Sequence, residues 1–178
     1  MKLKDLKQKI VQFIILLRFI CQAMNVSYYN PVTQTIVKLS DYFLMPFSVL
    51  GIRANTYFLI TVLYLFTFIK LYVPLMINSQ IYRLSTLLIV SFGYLIKEIV
   101  IFYWYLIIIS AVKSWFNVFV NHPIFSLIDE LCEPLYRFVR SAVPTLSGID
   151  FSPVIILIFL QLIEIIFLPR IFNLASVL

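Results

Sequence analysis

Residues 56–77 read TYFLITVLYLFTFIKLYVPLMI, an unbroken apolar run in which Lys70 is the sole charge. About 20 such residues, wound at about 1.5 Å each, cross a hydrocarbon layer of about 30 Å. A second block, Phe151–Leu168, makes a helix of about 27 Å, enough for a thin bilayer. Hydrophobic residues fill 62% of the 178 positions and charged residues 12%, against roughly 25% charged in a soluble domain. Lipid is the solvent that fits, and the chain reads as an all-α integral membrane helical bundle.

Four spans are expected: Ile10–Val26, Thr56–Ile77, a third ending near Val118, and Phe151–Leu168. The first follows Lys2, Lys4, Lys7 and Lys9 without a small-residue cleavage site, so it reads as a retained helix and not a secretion signal. From Leu84 to Val120 the chain is apolar apart from Lys97, Glu98 and Lys113. One helix of that length would measure about 50 Å, and Gly93 offers a place to bend it.

Sliding the chain by 92 residues places Asn25 on Asn117, Pro31 on Pro123, Asp41 on Glu133 and Phe43 on Leu135. The first span then falls on Phe102–Val118, and the second begins opposite Gly148. Each copy holds two spans, so both enter the membrane in the same direction and the repeats are parallel. The expected organisation is residues 1–83 as one two-span repeat and 98–178 as the other. Residues 84–97 are an insertion that extends the third helix, lies at the interface or re-enters the membrane.

With four spans, both termini and the turn at 78–83 share a side that carries Lys2, Lys4, Lys7, Lys9, Arg83 and Arg170 against Asp5. That excess places the termini in the cytoplasm and both long loops outside. The formal charge of +6 is explained by anionic headgroups meeting the basic N-terminus, and nucleic acid is not an expected partner.

Each long loop holds an amphipathic helix suited to the membrane interface. In the first, Val32, Ile36, Leu39, Phe43 and Phe47 form the apolar stripe; in the second, Leu127, Leu131, Leu135, Phe138 and Ala142 do. Asn30 and His122, each before a proline, are expected helix caps. Pro134 is expected to kink the second helix, with Glu133 and Arg137 pairing across it. In Gly148-Ile149-Asp150-Phe151-Ser152-Pro153, Ser152 is the expected cap of the last span, with Asp150 beside the helix end or folded against Arg137 or Arg140.

Charges within the spans suggest an intramembrane polar seam, with Arg18 at its centre and Glu98 or Glu164 as counter-charge. Candidate partner or lipid contacts are Glu133, Pro134, Arg137, Arg140, Asp150, Ser152 and Pro153. Chemistry has no foothold: there is no nucleophile elbow, paired thiolates, glycine-rich phosphate loop or histidine–carboxylate cluster. One histidine, His122, makes a histidine-based metal or haem site from this chain alone untenable, so no cofactor is expected. Cys21 and Cys132 read as free thiols, the first inside a span and the second in a loop.

The run Asp129-Glu130-Leu131-Cys132-Glu133-Pro134-Leu135-Tyr136-Arg137-Phe138-Val139-Arg140, followed by Pro144 and by 148–153, resembles the YggT family, also called YlmG. The likeness extends over nearly the whole chain, including Tyr29-Asn30-Pro31. The family pattern has a second proline where Phe138 stands and a second arginine where Ser141 stands, which leaves Arg137 and Arg140 as the basic residues. In the first copy the corresponding line, Asp41 to Pro46, lacks the arginines, and the later aspartate position is Phe58.

This resemblance implies a bacterial inner-membrane protein with accessory roles: envelope organisation, tolerance of osmotic stress, or assembly of a membrane complex. The function it favours is a non-enzymatic scaffold or assembly factor acting with a membrane partner or a second copy of itself. A small transporter or channel for ions or osmolytes is the alternative.

Overall fold

The computed structural model describes residues 2–49, 51–77, 83–115, 122–143 and 150–177. The expected turn at 78–82, the repeat position Asn117, and Pro144, Gly148 and Ile149 lie outside them. The described residues are helical almost throughout: α1 (Lys2–Ala23), α2 (Pro31–Val49), α3 (Thr56–Ile77), α4 (Leu84–Trp115), α5 (Pro123–Ala142), α6 (Ser152–Leu162) and α7 (Leu168–Val177). A π-helical turn, Ile163–Phe167, joins α6 to α7.

Among these, three stretches are long and apolar enough to cross a membrane: Thr56–Ile77, Leu84–Ser114 and Ser152–Leu174. Leu65, Ile69 and Val73 of α3 are about half exposed, as are Ile158, Phe159 and Leu162 of α6. Apolar surface of that extent is what lipid covers. The chain is therefore a multi-pass membrane protein. The helix α1 is 22 residues long but is not one of the three, because Lys7, Lys9 and Arg18 interrupt its apolar run.

Two compact units divide the chain: Met1–Leu63 with Val120–Leu131, and Tyr64–Phe119 with Cys132–Leu178. In the first, α1 packs on α2. The buried face of α2 is Thr33, Ile36, Ser40 and Leu44, at helical spacings. The expected stripe shared only Ile36 with it in full; Leu39 and Phe47 are exposed. Both helices end in glycine-type caps. Asn25 (φ 54°) and Gly51 (φ 76°) take the left-handed conformation. The Val26 amide then donates to Cys21 O at 2.9 Å, and the Ile52 amide to Phe47 O at 3.1 Å. Asparagine and glycine tolerate that backbone where branched residues do not.

In the second unit α4 packs against α6 and α7, and the Tyr64 hydroxyl of α3 donates to Leu88 O of α4 at 3.0 Å. The helix α4 is continuous over 32 residues, and 84–97 forms its first part. Gly93 lies within it without interrupting it. A Cβ there would lie 2.8 Å from Phe172 Cε1 and 3.2 Å from Ile171 Cγ2, so glycine serves the close approach of α7 to α4.

The last span also differs from the single helix expected over Phe151–Leu168. It continues into α7 through the π turn. Pro169 supplies a physical reason: it lacks the N–H for the bond to residue 165 and would crowd that carbonyl, and a wider turn just before it relieves both.

Candidate functional site

The polar side chains fall into three groups, each assembled by helix ends. The first begins with the caps. Asn30 Oδ1 accepts the Val32 amide at 2.9 Å and His122 Nδ1 accepts the Ile124 amide at 3.2 Å, as the residue-then-proline pattern predicts. Asn30 Nδ2 also donates to Pro123 O at 2.8 Å, which ties the start of α2 to the start of α5. Glu130 strengthens the tie by accepting the Ser27 amide at 2.7 Å and the Ser126 hydroxyl at 3.2 Å. The i+4 spacing of Glu130 from Ser126 is the sequence signal for this contact.

The second group joins α5 to α6. Arg140 reaches Asp150 Oδ2 from Nε at 3.0 Å and from Nη2 at 2.5 Å, and lies 3.7 Å from Glu133. Glu133 in turn sits 3.6 Å from Arg137, the expected pair. The Arg140 guanidinium lies 5.1 Å over the Tyr136 ring, within cation–π range. Burial would raise the Asp150 carboxyl, but hydrogen bonds from Ser152 and Arg140 outweigh it and hold the group below the usual carboxylate range. Burial pushes the Tyr136 hydroxyl up to about 12, a rise that Ser110 and Arg140 only moderate.

Asp150, and not Ser152, caps the last span: its Oδ1 accepts the Ser152 amide at 2.9 Å, while Ser152 is the first residue of α6. Ser152 and Pro153 are buried, so they offer a partner or lipid no contact surface. The exposed members of the expected set are Glu133, Pro134, Arg137 and Arg140. Pro134 leaves α5 a single assigned helix.

The buried face of α5 is also rotated from the expected stripe. It consists of Leu127, Ile128, Leu131, Cys132 and Tyr136, whereas Phe138 is 78% exposed. Cys132, expected in an accessible loop, is fully buried; both it and Cys21 are free thiols.

The third group is the set of charges on the apolar helices, among them Arg18, Glu98 and Glu164. Arg18 Nη1 pairs with Asp41 and donates to Ser40 Oγ at 2.8 Å and to Val37 O at 3.3 Å, all on α2. Lys70 pairs with Glu98 at 3.2 Å, and Lys97 lies 3.9 Å from Glu164 at the π turn. Arg18 lies roughly 8 Å along the helix from the end of α1 at Ala23. Asp41 is hard to foresee as the partner because it lies outside the apolar stripe of α2 and 23 residues from Arg18.

Among the described residues, no three His, Cys, Asp or Glu side chains converge as a metal site would require. What fold and polar groups define is a small all-helical multi-pass membrane protein whose charged residues join helix to helix.

The sequence comparisons agree. The CCB3/YggT family matches residues 89–171. An uncharacterized protein of Haemophilus influenzae is 33% identical over 152 residues, covering 83% of this chain and 79% of the relative. The Escherichia coli protein YggT, also uncharacterized, is 27% identical over 155 residues, with 85% and 79% covered. An uncharacterized Pseudomonas aeruginosa protein is 28% identical over 158 residues. No solved structure matches. The chain belongs to the CCB3/YggT family.

Proposed function

We propose that this is a four-span accessory protein of the bacterial inner membrane, one that scaffolds or helps assemble membrane partners and carries out no catalysis itself. The observation that carries the reading is the outer face of α5. Phe138 is 78% exposed beside the exposed Arg137, on a helix that Arg140 and Asp150 tie to the last span. A rigid helix presenting an aromatic and a cation outward has the composition of an interface centre.

In this reading α1 is the fourth span, and the two-span repeats are residues 1–83 and 98–178. Helix starts support it: α2 begins at Pro31 and α5 at Pro123, offset by 92. The lysines before α1 support cytoplasmic termini. Transport is disfavoured because Glu98 and Glu164 each already face a lysine.

A photo-crosslinker at position 138 in native membranes is expected to capture a discrete protein, and Arg140→Ala to reduce that capture several-fold while the fold persists. Adducts with lipid alone would refute the scaffold.

Orientation needs a different handle, because Cys132 is too buried to label. Cysteine at Tyr29, which is 94% exposed, is expected to react with an impermeant reagent from outside intact cells. Cysteine at the exposed Lys7 is expected to react only after permeabilisation. The reverse pattern would invert the topology.

A further inference from the structure

Between α1, the last turns of α2 and the α2–α3 loop lies an open cavity of about 790 Å³. That size falls in the range of ligand sites. Two guanidinium groups line it, Arg18 and Arg53, against one carboxylate, Asp41, so its lining carries a net positive charge. The rest of the argument concerns which of these donors are already used. Every hydrogen bond Arg18 makes to a described residue leaves from Nη1, so Nε and Nη2 have no such acceptor. Arg53, on the exposed loop, has no side-chain bond to any described residue.

The remaining wall includes Met45, Ile52 and Phe58, which are apolar. Position along the membrane normal narrows the ligand further. The span of α3 starts at Thr56, so the loop residues Gly51 to Ala54 stand just outside the hydrocarbon, at headgroup depth. Gly51 turns the chain there, and a Cβ on it would meet nothing within 4 Å, consistent with open space at the turn. Guanidinium forks match phosphate oxygens, and an apolar wall beside them suits the start of an acyl chain.

We propose that this cavity binds the phosphate of an anionic phospholipid, held by Arg53 and by the uncommitted nitrogens of Arg18, with Asp41 competing for Arg18. The site is independent of the scaffold reading.

The test is native mass spectrometry of the full chain released from nanodiscs containing equal phosphatidylglycerol and phosphatidylcholine. Phosphatidylglycerol is expected to be retained preferentially. Arg53→Gln should lower its retention about fivefold, the effect of one cation near an anionic surface. Asp41→Asn should raise it by about as much, because it removes the competing carboxylate. Lys38→Gln, an exposed cation on α2 that does not line the cavity, should leave it unchanged.

Equal retention of the two lipids would overturn the proposal, as would an equal loss in Lys38→Gln and Arg53→Gln. Displacement by excess inorganic phosphate would overturn the lipid assignment in favour of a soluble anion. Arg53 is on the exposed loop, so its variant decides the matter even if Asp41→Asn folds poorly.

Discussion

Replacing Gly93 with valine is expected to destabilise the packing of α7 on α4 by about 3 kcal/mol, the upper range for inserting atoms into a filled contact. Even the Cβ alone would stand 2.8 Å from Phe172 Cε1 and 3.2 Å from Ile171 Cγ2. Phe172 has little freedom to withdraw, since its ring already lies 5.3 Å from that of Tyr94 on the same helix as Gly93. Alanine should cost about 1 kcal/mol, because one methyl can be met by a partial turn of the ring. Reversible denaturation in mixed micelles would measure both.

The decisive comparison is the double variant. On a Phe172→Ala background the valine should lose most of its cost, since its principal clash has been removed. If valine is as costly with and without Phe172, or costs nothing at all, the close approach of these helices is not what glycine serves.

Gly93 also illustrates what a sequence can and cannot disclose. A glycine inside an apolar helix has several uses, among them a bend and a close contact, and only the neighbour's position chooses between them. Three of the expected spans were legible because the bilayer selects on length and composition, which are properties of the chain alone. So were the caps, since Asn30-Pro31 and His122-Pro123 act on amides two residues away.

Pairings across helices were not legible. Arg18 and Asp41 are far apart in sequence, and hydropathy offers no rule for choosing Asp41 over Glu98 or Glu164. The face of α5 was misjudged for a related reason. The expected stripe includes Phe138 and omits Cys132 and Tyr136, yet packing buries the latter two and leaves Phe138 outward. In a membrane protein an exposed aromatic is not penalised as it is in water, so apolarity marks lipid and core alike. Of the candidate site, Arg140 with Asp150 was foreseen as one alternative, whereas the capping role of Asp150 in place of Ser152 required the structure.

That cap and ion pair should make the α5–α6 junction sensitive to acid. Burial acts to raise the Asp150 carboxyl, but Ser152 and Arg140 prevail and hold it below its ordinary value. A carboxyl depressed in the folded state contributes stability that is present above its unfolded pKa of about 3.9 and lost as pH falls through the folded value. The junction should therefore be intact at neutral pH and loosen below about pH 4. Asp150→Asn should reproduce the loosened junction at neutral pH, at a cost of about 1 kcal/mol, since the carboxylate remains 25% exposed and solvent weakens the pair.

Hydrogen exchange at the Ser152 amide reads this directly, because that amide donates to Asp150. Exchange, corrected for its intrinsic pH dependence, should accelerate on acidification in the wild type and be already fast and nearly flat in Asp150→Asn. Glu133 also faces Arg140 and Arg137, so Glu133→Gln is the necessary control. It should keep the acid response, because Glu133 does not touch the amide. A response that survives in Asp150→Asn and disappears in Glu133→Gln would move the latch from the helix cap to the surface pair. Arg140 would then hold α5 to its own side chains and not to the last span, and the rigidity attributed to the outer face of α5 would lose its basis.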